Sequence, residues 1–406
     1  MSVTSARRSI CIISQYFPPD LNGDVVRLLN VLEALKDGGF KVTVVTSFPH
    51  YPDGHIPPQY RWKMISRELW NGVQVIRTFI LPLPHRGLVN RFLLYASFTL
   101  SATLATLLIR KVDIVWAFSQ KLFSYITGLV FKLVHKARLA LDVTDVWPEA
   151  IVNTGYIKSG GLLFDIIKFL MRFFYVMSDR VITLTEPMRK MIISAGADPL
   201  KVAIVPNTAQ LHQMGTSRGA NRSDNKFVVM YSGNLGPNYD FETLLRAAQT
   251  LREKDVLFII RGKGEMKDSI VSFVENASLK NVYLDERVLS KQELSEYLSS
   301  ADALVLPMKK CPYPDASFPI KLLDYLSCGK PILSCANGYI NELLTRYRAG
   351  LVVEPGDWEG LVKAIVALKE QPEMRREMSK NAKMLVTDLF SRSVLLRTLE
   401  AALNFA

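Results

Sequence analysis

A repeated order of strand, loop, helix and strand constrains the fold of this chain more than any other feature. The apolar periodicity of residues 9–46 predicts a short strand, a loop that carries Gly23, a helix over residues 24–36 and a second strand. Residues 227–260 predict the same order again, although the two segments are unrelated in sequence. Because this order builds parallel sheets with helices on their faces, the sequence predicts two α/β domains, and 406 residues are enough to form them.

The composition is that of a globular protein with a basic surface. Apolar residues make up 49% of the chain and charged residues 22%, and the formal net charge is +12. A basic excess favours polyanionic partners. Because no nucleic-acid-binding signature is present, anionic lipid headgroups and phosphorylated small molecules are favoured over nucleic acid as partners. The cysteines show neither metal-ligand spacing nor a disulfide framework, which indicates a reducing cytoplasm; they are Cys11, Cys311, Cys328 and Cys335.

Two apolar stretches in the first half of the chain indicate contact with a membrane. Residues 92–109 carry no charge over 18 positions, which is the lower limit for a membrane-spanning helix. Their five Ser and Thr residues favour a domain helix with one face on lipid, and a true span is the alternative. Residues 162–174 combine four Phe with Lys168 and Arg172, which predicts an interfacial amphipathic helix or, alternatively, a helix packed in the core. The first stretch is flanked by Arg86, Arg91, Arg110 and Lys111.

A loop followed by a helix within residues 311–335 is the strongest candidate for a binding site. The apolar run ADALVLP predicts a strand before the loop, and Ser317 is a candidate cap for the helix that follows. The amino end of that helix would lie at the carboxyl end of a parallel strand, where open α/β sheets bind ligands and free amides favour anions. Lys321 adds a positive charge there, and Asp324 offers an acceptor to sugar or ribose hydroxyls. The alternative is a capped helix with ordinary surface charges.

Loops at other predicted strand ends carry further candidate residues. The loop at 48–60 is rich in Pro and aromatic residues, TDVWPEAIVNTG follows the strand predicted at 139–143, and RGKGEMK follows a later strand. For each loop the alternative is structural, namely solvated histidines, a capping aspartate or turn glycines. The candidates are His50, Tyr51 and His55 in the first loop, Asp145, Trp147 and Glu149 in the second, and Arg261 and Lys263 in the third.

The block PIKLLDYLSCGKPIL resembles the donor-binding block of glycosyltransferase family 4. The matching residues are Pro319, Lys321, Tyr325, Gly329, Lys330 and Pro331. Asp324 stands where the family usually has the second Glu of a paired-Glu signature, the place of the first Glu holds Ala316, and Asp315 lies one residue away. YFPPDLNGD, which contains Gly23, resembles the family's first loop, and DVWPE resembles the branch that builds bacterial surface polysaccharides.

The loop SGNLG, which contains Gly233, resembles the first loop of the family's second domain. Asn234 and Tyr239 occupy roughly the places of the Arg and Lys that many members have there. The expected substitutes that bind the phosphates are therefore Arg261, Lys263 and Lys267, with Lys321 as a further one.

The resemblance implies a GT-B fold, an α/β protein with two facing Rossmann-like domains and the active site in the interdomain cleft. The implied acceptor-side domain, with the membrane-associating helices, covers residues 1–208, and a linker covers 209–226. The nucleotide-sugar-binding domain covers 227–388, and a helix at 389–406 crosses back to the first domain.

The implied activity is hexosyl or N-acetylhexosaminyl transfer with retention, from a UDP-sugar to a polyprenyl-diphosphate-linked saccharide, without a metal or other cofactor. We expect this activity in O-antigen, capsule or exopolysaccharide assembly, by a peripheral or monotopic protein on the cytoplasmic face of the inner membrane. A nucleotide-sugar epimerase of the same fold and a non-catalytic subunit are the alternatives. The expected roles are catalysis for Asp145 and Asp315; donor binding for Gly23, Gly233, Asn234, Arg261, Lys263, Ser317, Lys321 and Asp324; and acceptor contact for His50, Tyr51, Trp147 and Glu149.

Overall fold

The computed structural model describes residues 8–20, 22–51, 54–84, 87–109, 111–118, 122–209 and 226–405. These residues form two compact units. Unit 1 contains the described residues of Met1–Pro148, Gly160–Thr208 and Arg392–Ala406, and unit 2 contains those of Glu149–Ser159 and Ala209–Ser391. The segment Glu149–Ser159, expected in the first domain, therefore belongs to unit 2. Residues 210–225 of the expected linker lie outside the described residues.

The strands alternate with helices along the chain. The strands are β1 (Ser9–Ile13), β2 (Lys41–Ser47), β3 (Ile65–Trp70), β4 (Val73–Thr78), β5 (Ile114–Phe118), β6 (Arg138–Val143), β7 (Arg180–Thr183), β8 (Val202–Ile204), β9 (Phe227–Ser232), β10 (Val256–Arg261), β11 (Val282–Asp285), β12 (Ala303–Leu306), β13 (Ile332–Ser334) and β14 (Gly350–Val352). The helices are α1 (Gly23–Asp37), α2 (Leu88–Thr106), α3 (Leu122–His135), α4 (Glu149–Asn153), α5 (Leu162–Met177), α6 (Glu186–Ser194), α7 (Phe241–Thr250), α8 (Lys267–Asn276), α9 (Lys291–Ser299), α10 (Lys321–Ser327), α11 (Tyr339–Tyr347), α12 (Trp358–Glu370), α13 (Pro372–Phe390) and α14 (Arg392–Leu403).

Each unit is built on one sheet. In the described part of unit 1 the strand order is β3-β4-β2-β1-β5-β6-β7-β8, and in unit 2 it is β11-β10-β9-β12-β13-β14. All neighbouring strands in these two sheets run parallel, except that β3 pairs antiparallel with β4. Parallel strands bring the loops that follow them to one edge of the sheet, which is where ligands bind in such folds.

One face of the unit 1 sheet is covered by α1 and α14. The side chain of Asn22 caps α1 by accepting a hydrogen bond from the Val25 amide, and the apolar face of α1 then packs on the sheet. Leu28 of α1, Leu399 of α14 and Trp116 of β5 belong to one fully buried cluster. Burying an apolar side chain of this size contributes about 1.5–3 kcal/mol relative to leaving it in water, so the last helix is part of the core of unit 1.

The other face of the unit 1 sheet is covered by α2, α3 and α5. A Cβ atom on Gly128 of α3 would lie 2.8 Å from the Cβ of Ala117, whose neighbours Trp116 and Phe118 face α1. Because successive residues of a strand point to opposite faces, α3 lies on the face away from α1. Its neighbours there are α2 and α5.

Helix α2 is buried on one side only, as expected for residues 92–109. Leu94 and Phe98 are buried, whereas Phe92, Leu100 and Leu104 are exposed. The hydroxyl groups within the stretch fasten it to the rest of unit 1: Ser101 donates to the Phe79 carbonyl at 2.6 Å, and Ser97 accepts from the Leu81 amide at 3.1 Å. Among the helices of the described ranges, none is long and apolar enough to cross a membrane.

Candidate active site

Two glycine-containing loops meet at the carboxyl edge of the unit 2 sheet. Gly233 follows β9 and Gly262 follows its neighbour β10, with φ angles of 147° and 144°. A Cβ atom on Gly262 would lie 1.8 Å from the Gly233 carbonyl oxygen, and one on Gly264 would lie 2.4 Å from the Leu235 carbonyl oxygen. Only glycine fits such a close backbone approach, and the result is a narrow surface of main-chain groups at the sheet edge.

Lys321 lies directly against this glycine surface. A Cβ atom on Gly233 would be 2.5 Å from the Lys321 Nζ. The ammonium group lies over the rings of Tyr231 and Tyr239, 4.3 and 3.8 Å from their centroids, and donates to the Tyr231 Oη at 2.5 Å. Burial lowers the pKa of Lys321 from 10.5 to about 7. The two tyrosine rings thus stabilise a cation that is poorly hydrated.

Asp324, one turn along α10, shares these surroundings. Burial raises the pKa of Asp324 from 3.8 to about 6, an effect that the charges of Lys291 and Lys321 partly oppose. The structure therefore brings together Lys321, Asp324 and Gly233, which the sequence assigned to one donor site.

Tyr325 fixes α10 to the sheet and was given no role from the sequence, although it belongs to the matching block. Its hydroxyl accepts from the Ser232 amide at 2.8 Å and donates to the Ser232 carbonyl at 3.0 Å. Ser232 ends β9 and precedes Gly233. The buried phenol therefore sets the distance between α10 and the glycine surface.

The remaining expected donor residues of the glycine loops differ in their surroundings. Arg261 donates to the Ser232 Oγ at 3.0 Å and to the Arg287 carbonyl at 2.7 Å, so its guanidinium braces the sheet edge. Lys263 is exposed, and its backbone carbonyl accepts from the Leu235 amide at 2.9 Å. The Asn234 carbonyl accepts from the Tyr231 hydroxyl at 2.5 Å.

The structure corrects the expected start of α10 and gives Asp315 a structural contact. Ser317 follows a 3₁₀ turn at Pro314–Ala316, α10 begins only at Lys321, and no side chain caps it, so the prediction that Ser317 is its cap is wrong. One carboxylate oxygen of Asp315 accepts from the Tyr339 amide at 2.7 Å, at the start of α11. Asp315 therefore holds the loop before α10 against α11.

The loop at 48–51 of unit 1 is held by Asp20, which the sequence reasoning overlooked. The Asp20 carboxylate accepts from the amides of His50 and Tyr51 at 3.2 Å. The His50 ring stacks on Tyr16 with centroids 5.4 Å apart. His50 is only 2% exposed, and its expected contact with an acceptor stays a prediction. Burial raises the pKa of Asp20 to about 6.

The loop after β6 presents Asp145 beyond the carboxyl edge of the unit 1 sheet. Asp145 is exposed and Trp147 is half-buried, both in unit 1, whereas Glu149 begins α4 of unit 2. Gly23 is exposed at the start of α1 in unit 1. The structure therefore does not place Glu149 in the same unit as the other candidates of its loop.

Beneath this loop lies a buried ion pair that was not predicted. The Arg27 guanidinium on α1 donates to both carboxylate oxygens of Asp142, at 3.0 and 3.1 Å. It also donates to the Val205 carbonyl at 3.0 Å and to the Asn207 Oδ1 at 3.1 Å. Asp142 precedes Asp145 by three residues, so the pair fixes the strand from which the Asp145 loop leaves.

Segment Glu149–Ser159 is fastened to the loop before α10. The Asn153 side chain donates to the Tyr313 carbonyl at 2.6 Å and accepts from the Tyr313 amide at 3.2 Å. The hydroxyls of Ser159 and Tyr313 are 2.8 Å apart. These contacts explain why the segment belongs to unit 2.

The fold and the site define a class: two-domain α/β proteins whose second domain presents cations and glycine loops at the carboxyl edge of a parallel sheet. Residues 22–208 match the family model described as "Glycosyl transferase 4-like domain", and residues 215–384 match the one described as "Glycosyl transferases group 1". The two matches span most of the chain, and the chain belongs to the family 4 glycosyltransferases of the GT-B fold.

Known relatives and solved structures agree with this assignment. The chain is 25% identical over 366 residues to the WcaI protein of Escherichia coli (strain K12), whose name assigns it to colanic acid biosynthesis as a glycosyl transferase; the match covers 86% of this chain and 89% of WcaI. Sucrose-phosphate synthase from Thermosynechococcus elongatus has a similar fold, with a TM-score of 0.78 at 18% identity over 97% of this chain and 98% of its own. HepE from Anabaena, solved with UDP-glucose, gives a TM-score of 0.68 at 16% identity over 97% of this chain and 98% of its own.

Proposed function

We propose that the protein transfers a hexosyl or N-acetylhexosaminyl group from a UDP-sugar to a lipid-linked saccharide, with retention, in the assembly of a bacterial surface polysaccharide such as O-antigen, capsule or exopolysaccharide. The observation that carries this proposal is the position of Lys321 against the glycine surface of unit 2. The name of WcaI supports the polysaccharide, and the UDP-glucose complex of HepE supports the donor.

In this proposal, Lys321 and the main-chain groups of the glycine surface bind the donor diphosphate. The diphosphate gains negative charge as the sugar leaves, and fixed cations and dipoles stabilise such charge without rearranging. No carboxylate lies within ion-pair distance of the Lys321 Nζ in the described chain. A phosphate that binds at Lys321 would therefore not have to displace a carboxylate.

The proposed site works without a metal. Lys321 and the exposed Lys263 supply positive charge on the side of the diphosphate, and Asp324 accepts hydrogen bonds from donor hydroxyls. The proposal predicts that transfer continues in the presence of a chelator such as EDTA.

Asp145 is the proposed reactive group of unit 1. It is exposed at the loop that follows β6, and the Arg27–Asp142 pair holds that strand. We assign to it the positioning of the acceptor hydroxyl or the removal of its proton. Asp315 is a weaker candidate because one of its oxygens already binds the start of α11.

We also propose that unit 1 binds the cytoplasmic face of the inner membrane as a peripheral or monotopic protein. The neighbouring helices α2, α3 and α5 present apolar side chains to solvent, and Lys168 and Arg172 are exposed among them. Each basic residue near an anionic surface adds about 1 kcal/mol of attraction. Arg86 and Arg110, which were expected to contribute, lie outside the described residues. The exposed apolar residues are Val89, Phe92, Leu93, Leu100, Leu104, Ile126, Leu133, Val134, Leu162, Leu163, Ile166, Phe169, Phe173 and Val176.

The experiment that tests the activity incubates the protein with UDP-, GDP- and dTDP-sugars and scores hydrolysis, transfer and isomerisation. We expect hydrolysis or transfer with one UDP-sugar, and a loss of about 10²–10⁴-fold in turnover for Asp145→Asn with donor binding kept. Isomerisation would instead identify an epimerase, and no turnover with any sugar would identify a non-catalytic subunit.

The experiment that tests the membrane proposal is co-sedimentation with anionic phospholipid vesicles. We expect binding at low salt, partial release at high salt because charge attraction is screened, and full release only in detergent. Phe169→Glu, at a side chain that is 70% exposed, should weaken binding, whereas Val288→Glu, at an apolar side chain of unit 2 that is 87% exposed, should not. Protein that stays in the supernatant at low salt would contradict the membrane proposal.

A further inference from the structure

A pocket in unit 1, separate from the Asp145 loop, lies where β2 and β4 end. Its volume is about 480 Å³, within the range of about 300–1,000 Å³ that small-molecule sites occupy. Apolar and aromatic side chains form most of its walls, and these are Phe48, Ile56, Tyr60, Trp62, Met64, Phe79 and Pro82. The pocket therefore suits a hydrocarbon ligand.

The inner wall of this pocket is rigid. The Tyr60 ring stacks on Phe48 with centroids 5.1 Å apart, and its hydroxyl donates to the Glu68 carboxylate at 2.9 Å. Arg77 lies 5.5 Å from the Tyr60 ring centroid and donates to Glu68 at 2.6 Å. The Tyr60 ring and the Glu68 carboxylate are thus held by buried or half-buried partners, so this wall is formed without a ligand.

The outer wall is a turn that exposes its apolar side chains. Trp62 is fully exposed and Met64 is 67% exposed. Trp62 has a φ angle of 65°, which is uncommon and strained for a bulky residue. A fully solvated tryptophan held in a strained conformation next to an apolar pocket is expected where a ligand covers the ring.

The rim of the pocket is cationic. Arg61 and Lys63 flank Trp62, both are exposed, and neither forms an ion pair with any residue the structure describes. Glu68 does not line the pocket, and its carboxylate already binds Arg77 and Tyr60. Apolar walls with two unpaired cations at the mouth match an amphiphile whose head is anionic and whose tail is hydrocarbon.

The pocket adjoins the apolar outer face of unit 1. Its wall at Phe79 is bound to α2 through the hydrogen bond from Ser101, and Ser97, one turn earlier on α2, accepts from the Leu81 amide. The same helix exposes Phe92, Leu100 and Leu104. Helix α2 thus contacts the wall of the pocket and also presents apolar side chains to solvent.

We propose that this pocket binds the first hydrocarbon units of the lipid that carries the acceptor, with Arg61 and Lys63 on its phosphate groups. The inference rests on the proposed function, which makes the acceptor a prenyl diphosphate that bears a saccharide. It adds to that function the site of the lipid and a reason for Trp62, which a soluble acceptor would not need.

The test is a titration with farnesyl diphosphate, a short prenyl diphosphate, followed by tryptophan fluorescence below the micelle concentration. We expect a saturable blue shift in the native protein that is absent in Trp62→Phe, which isolates the signal of this residue among the five tryptophans. Inorganic diphosphate and farnesol should each bind more weakly, because each lacks one half of the amphiphile. Met64→Ala and the double variant Arg61→Gln/Lys63→Gln should weaken binding by about tenfold or more.

A matched control lies on the strand that follows the turn. Leu69 of β3 is 75% exposed, close to the 67% of Met64, and does not line this pocket. Leu69→Ala should therefore leave farnesyl diphosphate binding unchanged. An equal loss for Leu69→Ala and Met64→Ala would overturn the proposed site.

Donor hydrolysis in the same preparations separates the two proposals. Hydrolysis of a UDP-sugar without saturable binding of farnesyl diphosphate would overturn the pocket and leave the proposed function standing. A blue shift with phosphatidylglycerol vesicles but none with farnesyl diphosphate would overturn it too, and would make the turn a membrane anchor. Binding of farnesyl diphosphate without turnover of any nucleotide-sugar would support the pocket and count against the proposed function.

Discussion

Arg27 in unit 1 and Lys321 in unit 2 are both cations held near the carboxyl edge of a parallel sheet, and their surroundings are opposite. Arg27 is 2% exposed and binds both oxygens of Asp142, with the Val205 carbonyl and Asn207 as further acceptors. Lys321 lies between two neutral tyrosine rings and donates to one phenol. Burial lowers the pKa of Lys321 to about 7.

The difference indicates whether a buried positive charge stabilises the fold or binds a ligand. The charge of Arg27 is fully balanced within the protein, so it has no capacity left for a ligand. The aromatic rings around Lys321 stabilise its positive charge only in part. An anion bound at the glycine surface would neutralise that charge. We therefore expect substitutions at Arg27 to affect folding and substitutions at Lys321 to affect binding and turnover.

The largest effect is expected for Arg27→Met. The substitution leaves the Asp142 carboxylate buried without its partner, which should lower the free energy of unfolding by about 3–5 kcal/mol. Urea unfolding measures this change. The double variant Arg27→Met/Asp142→Leu should recover most of the loss because no buried charge remains. A single variant as stable as the native protein would show that the pair is not structural.

Lys321→Met should act on turnover instead. Loss of one fixed donor to a developing anionic charge costs about 10²–10³-fold in rate, so kcat should fall by that amount while the free energy of unfolding stays level or rises. Lys280→Met, at an exposed lysine of unit 2, is the control and should leave both unchanged. If Lys321→Met destabilised the protein as much as Arg27→Met, the comparison between the two cations would fail.

Asp324→Ala should weaken donor binding more moderately. A hydrogen bond to a charged acceptor is worth about 1.5–3 kcal/mol, which corresponds to a loss of roughly tens-fold in affinity for the nucleotide-sugar. Calorimetric titration of the folded variant measures the affinity, and its unfolding curve shows whether the fold is kept. Native affinity in a folded variant would remove Asp324 from the donor site.

The smallest effect is expected from pH. Asp324 is ionised above a pKa of about 6, and Lys321 is charged below a pKa of about 7. Donor affinity should therefore be greatest between these values and fall by up to about tenfold per pH unit on the alkaline side. In Lys321→Met the alkaline fall should disappear, and its persistence would assign the fall to another group.

Lys321 should also make the free energy of unfolding depend on pH, in the direction opposite to donor affinity. Its pKa is lowered in the folded state, so the unfolded chain binds more protons between pH 7 and 10.5. The free energy of unfolding should therefore rise with pH across this range, relative to Lys321→Met.

Local periodicity predicted the elements around both cations. The helix expected at 24–36 is observed as Gly23–Asp37, and the strands that precede the glycine loops and α10 were also expected. The prediction from capping preference was wrong at Ser317. Residues Pro314–Ala316 form a 3₁₀ turn before it, and the helix begins only at Lys321. A capping preference read from the local sequence cannot show that the residues before the helix form a separate turn.

Contacts between distant residues could not be predicted from a single sequence. Arg27 and Asp142 are 115 positions apart, and Asn153 and Tyr313, which assign Glu149–Ser159 to unit 2, are 160 apart. Tyr239 stood out only as a departure from the family pattern, and the structure shows that its ring covers Lys321. The sequence therefore named residues of the donor site but not the groups that tune them.

The position of α14 has a consequence for biosynthesis. Leu395, Leu399, Ala402 and Leu403 belong to the buried core of unit 1, whose other strands and helices all precede Ala209–Ser391, the main segment of unit 2. On the ribosome, the first unit to be made cannot complete its core until residues 392–403 have emerged, after the whole of unit 2. Unit 2 contains its own core and can fold while unit 1 is still incomplete. A nascent chain that stalls inside α13 would therefore leave exposed the apolar residues of unit 1 that α14 covers.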